Sequence, residues 1–221
     1  MAESPAAPAT IPADLMSFAA AVAHEIRTPL AAAAGEAEVV LRRERSPAEY
    51  RDALRRIAAA VSELVEISGD LTLLSEPLDD AAGASRSATL HAIFATIHQR
   101  YAGRADVDVD LESASMTQVA GSEGHLARAL TLLIEHALRH RRAGAHVSLR
   151  IVAMTGARVH LAVSAQPPGM WRHAWSALHR TADHAAGSLR LRTARRVVEA
   201  TGGAVGSSDT NAVHIELQRT A

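Results

Sequence analysis

The chain has 221 residues, a formal net charge of -1, 48% hydrophobic and 21% charged residues, a balance suited to one large or two small globular domains. Without cysteine it has no disulfides, no thiolate metal sites and no cysteine nucleophile, and without a basic run it gives nucleic acid no electrostatic footing. No apolar run approaches the roughly 20 residues of a membrane span, so a cytoplasmic protein with no membrane partner is expected.

Met1 to Pro12 is rich in Ala and Pro and carries Glu3 where a secretory signal would be basic, so it reads as a disordered tail. From Ala13 to about Arg45 the apolar residues Phe18, Val22, Ile26, Leu30 and Ala33 recur every three or four positions, the stripe of an amphipathic helix. Ser46, Pro47 and Glu49 then form a helix stop and restart: an N-cap serine, a proline at the first helical position and a glutamate closing a capping box. A second helix runs to about Ser75 with Leu54, Ile57, Val61, Leu64, Leu71 and Leu74 on its inner side. Two long helices with so short a link make an antiparallel hairpin. One hairpin buries little, so a dimeric four-helix bundle is expected over residues 13–76.

Residues 77–88, with Pro77, Asp79, Asp80 and Gly83, read as a linker. Over 89–221 helix and strand patterns mix. Helices are expected at Thr89 to Tyr101, Gly121 to His140 with Ser122 as cap, and Leu189 to Ala200 ending at Gly202-Gly203. Strands are expected at Val107 to Glu112, His146 to Met154, Arg158 to Ser164 and in a last hairpin from Ala204 to Gln218. The fold class is therefore α+β: the helical hairpin, then a two-layer α/β sandwich.

One turn of the first helix carries reactive side chains. At about 100° per residue His24 falls opposite the apolar stripe, Thr28 follows one turn later on the same face, and Glu25 lies at the flank. A neutral imidazole nitrogen can attack a phosphoryl group, a neighbouring carboxylate can hold the ring or take its proton, and a hydroxyl one turn away can position water for hydrolysis. Pro29 cannot donate to the carbonyl of Glu25, which loosens the helix there. The segment His24-Glu25-Ile26-Arg27-Thr28-Pro29-Leu30, with Phe18 before it, resembles the phosphoacceptor box of two-component sensor histidine kinases. That resemblance implies a phosphohistidine at His24, with Glu25 and Thr28 beside it in catalysis and Arg27 and Pro29 in support.

Residues from Thr89 to Gln218 resemble the ATP-binding domain of the same kinases. The likeness lies in the leucine pattern of Leu126 to His140 and in Thr193-Ala194-Arg195-Arg196-Val197-Val198-Glu199-Ala200-Thr201-Gly202-Gly203. The residues that would hold nucleotide depart from the family pattern. Leu132 and His136 stand where two asparagines are expected, and hard magnesium prefers oxygen ligands. Ala165 replaces the aspartate that reads adenine, leaving Gly169 of that box, and Ser188 and Arg190 fall where glycines would let the backbone approach phosphate. The expectation is a degenerate nucleotide site, with binding of ATP and magnesium lost or very weak and no metal site elsewhere. Phosphotransfer between His24 and the aspartates of response-regulator receivers is expected in place of autokinase activity. The alternatives are a receiver phosphatase, a non-catalytic pseudokinase bound to a receiver or a partner kinase, and an active kinase with unusual nucleotide contacts.

Overall fold

The computed structural model describes residues 13–75, 86–166, 189–207 and 212–220. These fall into two compact units, one holding residues 13–67 and the other residues 68–75 with the chain from Arg86 onward.

The first unit is built on helices α1 (Ala13–Leu41) and α2 (Pro47–Ser75), the latter running on into the second unit. The capping box forms as its residue types require: the Ser46 amide donates to Glu49 Oε2 at 2.8 Å, and the Glu49 amide donates to Ser46 Oγ at 3.3 Å. The two helices meet along a narrow seam. On α2 it consists of Ala53, Ile57, Ala60, Leu64 and Ile67, spaced four, three, four and three, the repeat of two-helix packing. On α1, Phe18, Val22, Pro29, Ala33 and Val40 face inward. Three residues of the expected stripes do not. Leu30, Leu54 and Val61 are 54%, 64% and 48% exposed, because one facing helix covers less than half of a wide apolar stripe. An ion pair between Arg56 and Glu36, at 2.5 Å, links the two antiparallel helices.

In the second unit, a five-stranded sheet has the order β2-β4-β5-β7-β6, formed by β2 (Val107–Val109), β4 (His146–Thr155), β5 (Arg158–Gln166), β7 (Ala212–Gln218) and β6 (Ala204–Ser207). Only β2 runs parallel to its neighbour. A two-stranded sheet pairs β1 (Ser87–Thr89) with β3 (Gln118–Ala120). Helices α3 (Leu90–Arg100), α4 (Glu123–His140) and α5 (Leu189–Ala200) complete the second layer. Thr89 caps α3 by accepting from the Ala92 amide, and Ser122 caps α4 by accepting from the His125 amide.

Alternate residues of β5 and β7, namely Val159, Leu161, Val163, Val213, Ile215 and Leu217, are fully buried and share one core with Ile93, Phe94, Leu126, Leu130, Leu133, Val197 and Val198. Each such side chain contributes about 1.5–3 kcal/mol by leaving water, so this layer carries most of the unit's stability. After α5, Gly202 adopts φ 75°, and a Cβ on Gly203 would strike the Glu216 carbonyl and the Val198 side chain; the paired glycines let the chain turn tightly into β6. The expected strand at Val107 to Glu112 stops at Val109. Ser87 and Ala88, assigned to the linker by composition, pair as a strand. The turn expected at Asp209 to Asn211 lies outside the described residues.

Candidate functional site

Helix α1 presents His24 to solvent, with Arg27 and Thr28 exposed and Glu25 half-buried beside them. The Thr28 hydroxyl donates to the His24 carbonyl at 3.2 Å, which fixes it on the His24 turn and leaves its oxygen able to accept a further hydrogen bond. Pro29 is buried in the seam and has no N–H for the Glu25 carbonyl, so the helical ladder is interrupted one residue past the histidine. His24, Glu25, Arg27, Thr28 and Pro29 thus occupy one and a half turns of helix, with the imidazole and the hydroxyl on the open side. Such a surface can receive a phosphoryl group from a large partner, since nothing in its own unit encloses it.

The positions read as a nucleotide site lie differently. Leu132 is fully buried, His136 is 5% exposed and Ala165 is 2% exposed. Arg190 enters the interior as well, 4% exposed, with Nη1 at 2.5 Å from Glu135 Oε2. Glu135 also meets Arg100 at 3.0 Å, so one carboxylate joins α3, α4 and α5. Asp70, fully buried near the end of α2, takes the Arg128 guanidinium at 2.7 Å. Burial pushes the Asp70 carboxyl above its ordinary range, against the pull of Arg128. Sequence reasoning missed Glu135, Asp70 and Arg128, because partners 55 and 58 residues apart leave no local signal. Gly169 and Ser188 lie outside the described residues. Among the described residues no three His, Asp or Glu side chains gather to hold a metal, and no helix is long and apolar enough to cross a membrane.

The model of the His Kinase A (phospho-acceptor) domain matches residues 14–77, the whole of the hairpin with His24 inside it. The sensor protein IrlS of Burkholderia pseudomallei is 30% identical over 140 residues, covering 61% of this chain and 30% of IrlS. The chain is similar to two-component sensor histidine kinases, and residues 14–77 are its match to their phospho-acceptor domain. The adaptive-response sensory kinase SasA of Parasynechococcus marenigrum is 26% identical over 201 residues, 83% of this chain and 50% of that kinase. The chain therefore spans about a third to a half of the length of these curated relatives. Among solved structures, the Acinetobacter baumannii histidine kinase AdeS shares the fold with TM-score 0.57 at 16% identity, over 89% of this chain and 97% of that one. The histidine kinase ThkA, solved in complex with the response regulator protein TrrA, has TM-score 0.57 at 16% identity over 93% of this chain and 62% of the matched chain.

One expectation needs correction. The relatives are sensor kinases, a family that uses ATP and magnesium, so the reading of no ATP and no magnesium is overturned. Reading lost function from substituted positions assumed that binding rests on those side chains alone. Leu132 and Ala165 do not fit the family's ligand roles, since neither brings an oxygen to magnesium or an acceptor to an adenine amino group. Any such contact in this kinase relative rests on other atoms.

Proposed function

We propose that this chain is a phosphorelay protein in which His24 carries a phosphoryl group and exchanges it with the aspartate of a response-regulator receiver. The observation that carries this reading is the exposed His24–Thr28 turn, inside the segment matched by the phospho-acceptor model. A lone pair on a neutral ring nitrogen of His24 attacks phosphorus; the bond from phosphorus to the donor oxygen breaks and the donor leaves with those electrons. In the onward step a receiver aspartate oxygen bonds to phosphorus as the phosphorus–nitrogen bond breaks, returning the imidazole. Glu25, half-buried at the flank, holds the ring or takes its proton. The Thr28 hydroxyl, tied to the His24 turn, can hold a water for hydrolysis, which supports phosphatase action on a receiver as the second reading.

The chain acts as a homodimer whose second hairpin covers Leu30, Leu54, Val61 and Val65, apolar residues too numerous on one unit to remain in water. The receiver docks on exposed helix beside His24, as expected of a kinase whose relative ThkA was solved with a response regulator. Mixing the purified chain with a phosphorylated receiver tests the assignment: label is expected on His24 and absent in His24→Gln. Thr28→Ala is expected to keep that label and to slow receiver dephosphorylation by tenfold or more. If Thr28→Ala leaves dephosphorylation unchanged, the second reading is wrong. If no label appears from either a phosphorylated receiver or ATP with magnesium, the first is wrong.

A further inference from the structure

A second set of reactive side chains lies on the outer face of the five-stranded sheet, opposite the face that packs on the core. Strands β4 and β5 join through the two-residue turn Gly156–Ala157, with Thr155 opposite Arg158 and Gly156 at φ 54°. The register of β4 shifts between Ile151 and Ala153. Side chains alternate along a strand, so one extra residue there swaps the faces of everything beyond it. Ahead of the bulge Arg150 pairs with Ala162; past it Ala153 and Thr155 pair with His160 and Arg158, while Met154 pairs with the buried Val159. Without the bulge Met154 would stand on the outer face beside His160; with it, the Thr155 hydroxyl does.

The contacts run in one line across β4, β5 and β7. Thr155 Oγ1 lies 2.9 Å from His160 Nε2. His160 is paired across the sheet with Glu216, and its Nδ1 faces Glu216 Oε2 at 3.9 Å. The other Glu216 oxygen meets Arg158 Nη1 at 3.0 Å, and that nitrogen also donates to the Gly202 carbonyl at 2.8 Å. Arg158 thus anchors the carboxylate on the side away from the ring. Thr155 is exposed and the His160 side chain is 34% exposed, so a small molecule can reach both. With the ring proton on Nδ1, toward the carboxylate, Nε2 accepts and Thr155 donates to it. A hydroxyl on an imidazole that is backed by a carboxylate is the arrangement that makes a weak alcohol nucleophilic, and its spacing is looser before a substrate arrives.

We propose that Thr155 is an acyl acceptor, with His160 as its base and Glu216 as the residue that positions the ring. Thr155 Oγ attacks the carbonyl carbon of an ester with a good leaving group, and its proton passes to His160 Nε2. The bond from that carbon to the leaving oxygen breaks, and the leaving group departs with the electron pair. The acyl group stays as an ester on Thr155, and His160 releases the proton to water. None of these residues takes part in the phosphoryl chemistry of His24, so the two assignments can fail independently.

The chain contains no lysine and no cysteine, so apart from an α-amine its acyl-accepting groups are hydroxyls and imidazoles. Acyl imidazoles hydrolyse in water, so the label that survives reports the hydroxyls. After the full chain is incubated with p-nitrophenyl acetate, acetyl groups are mapped by mass spectrometry. Thr155 is expected to carry at least about ten times the label on Thr28, an exposed threonine whose hydroxyl donates to a carbonyl instead. Thr155→Ser is expected to keep the label and Thr155→Val to lose it. His160→Gln is expected to slow acetylation at position 155 by about tenfold or more. Glu216→Gln is expected to slow it by about threefold, and Glu216→Asp to restore it. Equal label on Thr155 and Thr28, or a rate that His160→Gln leaves unchanged, overturns the proposal. A loss in Glu216→Gln that Glu216→Asp does not restore overturns the positioning role.

Discussion

In the hairpin, His24, Arg27 and Thr28 stand in solvent outside a seam of mostly small and branched apolar residues, whereas in the second unit Leu132, His136, Ala165 and Arg190 lie inside the core. The first arrangement needs only one helix. Its residues reach each other through the 3.6-residue period, so chemistry and geometry can be read together from seven consecutive positions. The second depends on α4, β5 and α5 meeting across more than 50 residues, and its Arg190 is already paired with Glu135. The lesson is that an exposed single-helix site tolerates reading by residue type, while a site built from distant elements does not.

The largest effect that would sharpen this contrast is expected at Glu135, the carboxylate shared by Arg100 and Arg190. Glu135→Gln leaves a buried guanidinium without its counter-charge and should destabilise the second unit by about 3 kcal/mol, seen as a Tm drop in calorimetry. The same substitution type at Glu25 should cost less than about 1 kcal/mol of stability, since the hairpin's chemistry lies outside its core. Equal losses at the two positions would break the contrast.

A smaller effect is expected from the apolar face left over by the seam. Val61→Glu, at a residue 48% exposed in one chain, should weaken self-association by about a hundredfold in sedimentation equilibrium and barely alter helicity at low concentration. An unchanged dimer would show that this face pairs with something else.

The smallest is a pH effect. Arg104, and after it Arg141, hold the Asp106 carboxyl well below the usual carboxylate range. A lowered folded-state pKa means that its stabilisation is present above the ordinary value of 3.8 and fades as pH falls toward the folded one. Tm of the parent should therefore fall between about pH 4 and pH 2, and Asp106→Asn should flatten that fall slightly. A steeper fall in the variant would contradict the assignment.

Much of the fold was legible because local rules govern long elements. The Ser46–Glu49 box, the Ser122 cap, the bounds of α5 and the glycine stop at Gly202-Gly203 each follow from residue types a few positions apart. Strands β1 and β3, three residues each, carry too little alternation to announce themselves, and they exist because they pair with one another. Leu30 and Leu54 were assigned inward since periodicity gives the direction of an apolar stripe but not the width that one partner covers. At the candidate site, His24 and Thr28 were found by spacing, whereas the Asp70–Arg128 and Glu135–Arg190 pairs depend on tertiary contacts that no short window contains. The nucleotide expectation fails for a related reason: loss of side chains is not loss of cofactor, and the kinase relatives contradict it.

The most direct measurement is to map phosphate on the chain by mass spectrometry under non-acidic conditions, after incubation with ATP and magnesium and, separately, with a phosphorylated receiver. The account predicts acid-labile phosphate on His24 in at least one arm and none in His24→Gln. Phosphate on another residue, or phosphate that persists in His24→Gln, would contradict it.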